Sequence, residues 1–237
     1  MIKQLFITGD THRVFQRIYD FFPNHEENKD IALIILGDAS ILYENNQADI
    51  SLLKKLQATN LTFYCLRGNH EMRPADYDGI QVEFDEYTNQ YVYRHPVAPN
   101  VNFLIDGLVY TIKDYTFLAL GGAYSVDKWY RLMNNRRWFA NEQLSIDERS
   151  EIESKYSGQH FDYILSHTCP YSWQPTDLFL RGLDQSTVDN TMEHWMEYFQ
   201  NIITYDHWYW GHYHADRVYS VEPDRQMFYQ LIKEIEL

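Results

Sequence analysis

Cysteine is nearly missing from this sequence: Cys65 and Cys169 are the only two in 237 residues. That excludes a disulfide framework as the source of stability, and a chain of this length can bury enough apolar surface without one. Cys65 lies inside the apolar run Leu61–Leu66, where a small buried thiol is expected, and a reducing compartment is the default. No apolar run approaches the roughly 20 residues that cross a bilayer. Met1–Ile7 runs straight into Thr8-Gly9-Asp10, without a charged region, apolar stretch and cleavage site, so a soluble cytoplasmic protein is expected. No repeat, low-complexity tract or linker interrupts the chain, and residues 1–237 are expected to form one domain. Positive charge is also short. Against 34 acidic side chains stand 20 Lys and Arg, for a formal net charge of −14. Such a field disfavours long duplex nucleic acid as a partner. It does not exclude a small phosphorylated substrate, because bound divalent cations reverse the local sign. Aromatic residues, by contrast, are abundant at 16%, with 20 Tyr, 13 Phe and 6 Trp, which fits either an aromatic core or an aromatic-lined pocket.

The first third of the chain alternates between two periodicities. Ile2–Thr8, Ile31–Leu36 and Leu61–Leu66 are apolar runs of strand length; Arg13–Phe22 and Gln47–Ala58 carry helical spacing. Continuous apolar runs suit strands buried on both faces, and the β-α-β-α-β rhythm predicts a parallel sheet with crossover helices. Val101–Leu104, Leu108–Ile112 and Thr116–Leu120 read as short strands, the last two joined in a hairpin at Lys113-Asp114-Tyr115. They point to a second sheet packed on the first. Ser145–Tyr156 reads as a helix opened by a capping box, Ser145 with Glu148. Phe161–Leu165 and His207–Trp210 read as strands, and Ser186–Ile203 as an amphipathic helix. The acidic run Glu83–Glu86 reads as solvated surface, and the course of the chain from Arg73 to Val101 does not follow from the pattern.

The ligand-type residues gather at one kind of place. Asp10 and His12, Asp38, Asn69 and His70, His167, and His212 with His214 each follow an apolar strand-like run. In open α/β sheets the carboxyl ends of strands line the binding crevice, so five loops would deliver these side chains to one place. Gly9, Gly37, Gly68 and Gly211 stand before them, where the chain turns sharply off the strand. Four imidazoles, two carboxylates and one amide, with no thiolate, suit Mn, Fe, Zn, Co or Ni. Seven donors exceed what one tetrahedral ion needs, and suit two ions sharing a bridging carboxylate.

Gly9-Asp10-Thr11-His12, Gly37-Asp38, Gly68-Asn69-His70-Glu71, Ser166-His167 and Gly211-His212-Tyr213-His214 resemble, in order, the five blocks of calcineurin-like metallophosphoesterases. The resemblance implies an α/β fold of two packed mixed β-sheets flanked by helices, a four-layer sandwich. It implies hydrolysis of a phosphate monoester or diester by a hydroxide shared between two divalent transition metals, Mn foremost. Asp10, His12 and His214 would hold one ion, Asn69, His167 and His212 the other, with Asp38 bridging. His70 would face the substrate, stabilise phosphoryl oxygens and act as general acid. Glu71 would orient His70 or organise its loop. Leu66–Glu71 is also similar to a block of the Ser/Thr phosphoprotein phosphatases, which would bring a phosphopeptide substrate. The residues after Gly37-Asp38 depart from that subgroup, since its aspartate partner for the histidine and its phosphate-gripping arginine are missing there. The closing Gly211-His212-Tyr213-His214 is more like the nucleases, phosphodiesterases and small bacterial phosphoesterases of the superfamily, which keeps a nuclease or nucleotide phosphodiesterase as the alternative. A non-catalytic metal-binding scaffold is the rival, but such scaffolds usually lose ligands or the catalytic histidine, and none is lost here. Arg73 is a candidate phosphate contact, guanidinium being suited to phosphate oxygens. Gly121–Asp127 and Lys128–Trp138 are candidates to line the substrate side. The remaining histidines, His207 included, are expected to be structural or solvated.

Overall fold

The computed structural model describes residues 2–179, 185–219 and 223–236. Among these, thirteen strands form two sheets. The first contains β1 (Gln4–Thr8), β2 (Ile31–Ile35), β3 (Thr62–Cys65), β4 (Gln81–Asp85), β5 (Gln90–Arg94), β6 (Val101–Leu104) and β13 (Lys233–Ile235), ordered β13-β1-β2-β3-β6-β5-β4. Its centre, β1-β2-β3-β6, is parallel and its edges antiparallel. The second contains β7 (Val109–Ile112), β8 (Tyr115–Leu120), β9 (His160–Ser166), β10 (Thr204–Trp210), β11 (Arg217–Tyr219) and β12 (Asp224–Met227), ordered β11-β12-β10-β9-β8-β7. There too a parallel centre carries antiparallel edges.

Side-chain alternation sorts the strands into layers. Leu5 and Ile7 of β1 and Ala32 and Ile34 of β2 enter a core shared with Phe117, Tyr163, Leu165 and Tyr209 of the second sheet. Phe6, Leu33 and Ile35 face the other way, packing with Ile18, Leu53 and Leu56 from helices α1 (Gln16–Phe21) and α2 (Gln47–Gln57). On the far side Ile164, Trp208 and Trp210 pack against α4 (Ile146–Tyr156) and α5 (Thr191–Phe199). Fully burying side chains of this kind stabilises by about 1.5–3 kcal/mol each. The result is the expected helix, sheet, sheet, helix order, and about half of the aromatic residues are buried in these layers.

Helix ends follow local chemistry. The capping box of α4 forms as expected, Ser145 Oγ accepting from Glu148 N at 3.2 Å and Glu148 Oε2 from Ser145 N at 2.7 Å. Helix α1 starts at Gln16, later than the spacing predicts, because His12 and Arg13 have φ of 45° and 67°, which no right-handed helix contains. Helix α5 is also shorter than expected. The Asp189 carboxylate takes the Thr191 N–H at 2.9 Å, so a turn rather than a helix leads into it.

The acidic run is expected to be solvated, and one member is not. Residues 81–94 fold into the β4–β5 hairpin, and Asp85 is buried where β4 enters the turn. Asp85 accepts from the Tyr64 hydroxyl at 2.9 Å, the Thr88 hydroxyl at 2.8 Å and Arg94 Nη2 at 2.5 Å. Arg94 continues to Asn102 on β6, which donates to Phe63 O on β3. Asp85→Ala strands a buried hydroxyl and a guanidinium, so it should cost about 3 kcal/mol in urea unfolding. A loss below about 1 kcal/mol would mean the hairpin is anchored elsewhere.

Candidate metal centre and adjoining cleft

The five ligand-bearing loops leave the carboxyl ends of five parallel strands, β1, β2 and β3 in one sheet and β9 and β10 in the other. Because the two sheets are packed face to face, their loops meet above the seam. Cross-bonds lock the loops together. Thr11 N and His12 N both donate to Asp38 O, at 3.2 and 2.8 Å. The Arg17 guanidinium gathers the carbonyls of Gly9, Asp10 and Tyr229 at 2.8–3.0 Å. Buried Glu71 accepts from Gly68 N at 2.8 Å and Ser40 N at 3.1 Å; of its two expected roles, it fills that of loop organiser. Burial, with the nearby Asp38 carboxylate, pushes its carboxyl up to about 7.

The backbone is strained where the ligand-type residues stand. His12, Asp38, His212 and His214 have φ of 45°, 48°, 69° and 52°. Each such conformation costs about 1–3 kcal/mol for a residue with a Cβ. Crowding allows no larger neighbour at two turns. A side chain at Gly68 would collide with the Asp38 carboxylate, and one at Gly37, whose φ is 91°, with the His167 imidazole.

The donor atoms converge. His12 Nε2 and His214 Nε2 approach to 2.8 Å, with Asp10 Oδ2 at 3.6 and 3.2 Å from them. That Asp10 oxygen is buried and has no hydrogen-bond donor among the described residues, while Oδ1 accepts from His212 N at 2.9 Å. Asp38 reaches towards both halves, Oδ2 lying 3.8 Å from His12 Nε2 and Oδ1 3.5 Å from His167 Nε2. His167 bonds Leu36 O through Nδ1 at 2.8 Å, leaving Nε2 against Asn69 Oδ1 at 2.9 Å. Asn69 is oriented from behind: its amide donates to Ser125 Oγ at 2.9 Å, and that hydroxyl donates to Glu142 at 2.6 Å. His212 packs its ring edge-on against His167, centres 5.0 Å apart.

Charge in this cluster is out of balance in one direction. Burial would raise the Asp10 carboxyl, but His12 and His214 hold it far below the usual range. Burial likewise opposes the ionised form of Asp38, and the charge of His167 overrides it. Burial would lower His167; the Asp38 carboxylate instead raises it to about 9. His212 is pushed down to about 3 by burial and by His167, and stays neutral. Two buried carboxylates, a neutral imidazole and two imidazole nitrogens at mutual contact form a set that calls for cations. An unpartnered Asp10 oxygen among nitrogen donors fits divalent transition metals.

Beside the cluster stands His70. Its N–H donates to Asp38 Oδ1 at 2.8 Å, and its ring lies 5.2 Å from that of His12. Its partners come from residues that the motifs do not contain. Arg131, on the short helix α3 (Lys128–Met133), places Nη2 2.5 Å from His70 Nδ1. Asp127 lies 3.9 Å from Nε2 and is chelated by Arg131 Nε at 2.7 and 2.8 Å. The acidic partner missing after Gly37-Asp38 thus has a counterpart at the end of the Gly121–Asp127 segment. Arg73, by contrast, is not brought to the cluster. It bonds Glu148 and the carbonyls of Asn141 and Gln143, tying the loop after β3 to α4. His207 stacks on Tyr163 and bonds Asp224, a packing role as expected.

A cleft of about 1010 Å³ opens from the cluster, with Asp38, Asn69, His70, His212 and His214 at one end. Its other walls come from residues 124–127, 171–179 and 185–190 and from Glu193 and Tyr213.

The sequence matches the family described as calcineurin-like phosphoesterase over residues 4–216. No curated protein matches it. Among solved structures, the protein TT1561 of Thermus thermophilus superposes with a TM-score of 0.50 at 9% identity, over 99% of this chain and 98% of that one. At that identity the likeness is one of fold. Phosphopantetheinyl hydrolase (PptH) from Mycobacterium tuberculosis gives a TM-score of 0.45 at 14% identity, over 96% and 90%.

In the cleft wall, Glu193 is 3% exposed and burial pushes its carboxyl up to about 7. A folded-state value above the ordinary one means stability that is complete below about pH 4.5 and lost as pH rises through about 7. The stability difference between wild type and Glu193→Gln should therefore shift by about 3 kcal/mol against wild type between pH 4 and 8. Parallel urea titrations check this; a difference that does not move with pH would show that burial leaves the Glu193 carboxyl at its ordinary value.

Proposed function

We propose that this chain, which belongs to the calcineurin-like phosphoesterase family, hydrolyses a phosphate monoester or diester at two divalent transition-metal ions, with His70 as donor and general acid. The observation that carries this is the meeting of His12 Nε2 and His214 Nε2 beside the unpartnered oxygen of Asp10. Asp10, His12 and His214 would hold one ion, Asn69, His167 and His212 the other, and Asp38 stands between them. Mn is the first candidate, with Fe, Zn, Co and Ni suited by the same donors. When bound, such a pair supplies water activation and neutralises charge developing at phosphorus.

The chain's own groups then divide the work. Leu36 O fixes the His167 ring, and Ser125 with Glu142 fixes the Asn69 amide, so that the donor atoms face inward. His70 is held by Arg131 at Nδ1. A guanidinium only donates, so Nδ1 accepts and the ring N–H is at Nε2, ready to donate to a phosphoryl oxygen. An arriving phosphate dianion would compete for the Arg131 fork. The Nε2 proton would pass to the departing alkoxide, and release of Nδ1 would let the ring take a replacement proton there from solvent. The complete ligand set and the retained His70 favour catalysis over a scaffold role.

Elemental analysis should find two transition-metal ions per chain, and p-nitrophenyl phosphate or its bis ester should be hydrolysed. His70→Gln should keep both ions and lower kcat by about 10²–10⁴; an undiminished rate would remove His70 from the mechanism. Ser125→Ala, which frees the Asn69 amide, should weaken binding of the metal that Asn69 holds by about 10–100-fold in a chelator competition. Unaltered affinity would mean that Asn69 does not need this support.

A further inference from the structure

The cleft beside the metal cluster has a chemical character of its own. Its volume of about 1010 Å³ is that of a site for a whole small molecule and exceeds what a phosphate group alone occupies. Val126 and Leu178 stand 69% and 44% exposed along it, large apolar side chains facing water. Phe179 and Tyr213 lie nearly parallel, 6.2 Å apart. Asp189 and Glu193 supply carboxylates to its walls, while Asp127 is held by Arg131. Arg131 stands at the phosphate end, against His70.

Glu193 gives the wall a polar anchor. It is 3% exposed, and its Oε1 accepts from the Thr168 hydroxyl at 2.6 Å. Oε2 is buried with no hydrogen-bond partner among the described residues. A buried oxygen left so is unfavourable, and a donor entering from the cleft would satisfy it. Thr168 follows His167 directly and is also bonded to the Tyr213 hydroxyl at 3.0 Å, so the anchor is built onto the same loops as the cluster.

We infer that the cleft binds the organic part of the substrate, an apolar group that carries an N–H or O–H donor for Glu193. This rests on the phosphoesterase function proposed above, and it narrows the substrates to phosphate esters of donor-bearing alcohols.

The test uses three p-nitrophenyl phosphodiesters that share a scissile bond and differ in the second ester group: aminohexyl, hydroxyhexyl and hexyl. Their hydrolysis and their calorimetric binding are measured with the metal-loaded protein and with Glu193→Gln. Wild type should favour aminohexyl and hydroxyhexyl over hexyl by at least about tenfold in kcat/KM, and bind them in the same order. Glu193→Gln should shrink the aminohexyl-to-hexyl ratio to below about threefold; a merely structural role would lower both alike and leave the ratio standing. Hydrolysis of all three esters without discrimination overturns this inference and leaves the hydrolase intact. Ordered, Glu193-dependent binding without hydrolysis supports the cleft assignment and overturns the hydrolase. Neither binding nor hydrolysis overturns both.

Discussion

Two carboxylates, Asp10 and Asp38, are buried at the ends of neighbouring parallel strands, and they cannot both be ionised there without positive charge or hydrogen-bond donors around them. The architecture above the two sheets meets that demand. Backbone N–H groups of His212 and His70 each take one carboxylate oxygen. Imidazoles from the loops after β1, β9 and β10 surround the rest. Removing any of these loops would leave charge uncompensated in a low-dielectric seam, which is why strain at four of the ligand-type residues is tolerated. The donors are nitrogen and oxygen only, a set suited to divalent transition metals.

Supporting groups extend this constraint outward. Arg17, Glu71, Ser125 and Glu142 touch backbone or amide groups of the loops, and each removes a rotation that would let a donor turn away. Arg131 and Asp127 do the same for His70 while belonging to another segment. The cleft wall formed by residues 171–179 and 185–190 continues the loop that carries His167, so cleft and ligand cluster share one scaffold.

Much of the fold was legible because buried parallel strands leave continuous apolar runs such as Ile31–Leu36, and because Ser145 and Glu148 carry their capping chemistry in sequence. The β4–β5 hairpin was not legible. Its outward residues Val82, Phe84 and Tyr91 are apolar and its inward anchor Asp85 is charged, which inverts the pattern a strand is read by. The helical spacing of residues 13–22 overran the true start of α1, since nothing in it signals that His12 and Arg13 turn left-handed to reach Asp38 and Ala39. Arg73 lies three residues after His70 in sequence, yet its guanidinium is drawn away by Glu148, 75 residues on.

By itself the sequence determined the residue types and order of the ligand loops, the strands that precede them and the family to which they belong. Those are local properties, carried by apolar runs, glycines and donors at short spacing. Which arginine meets His70, what orients Asn69 and whether Glu193 has a partner were decided only by tertiary structure. These contacts join residues 61, 56 and 25 positions apart, and at such separations it is the docking of one sheet on the other that selects a partner.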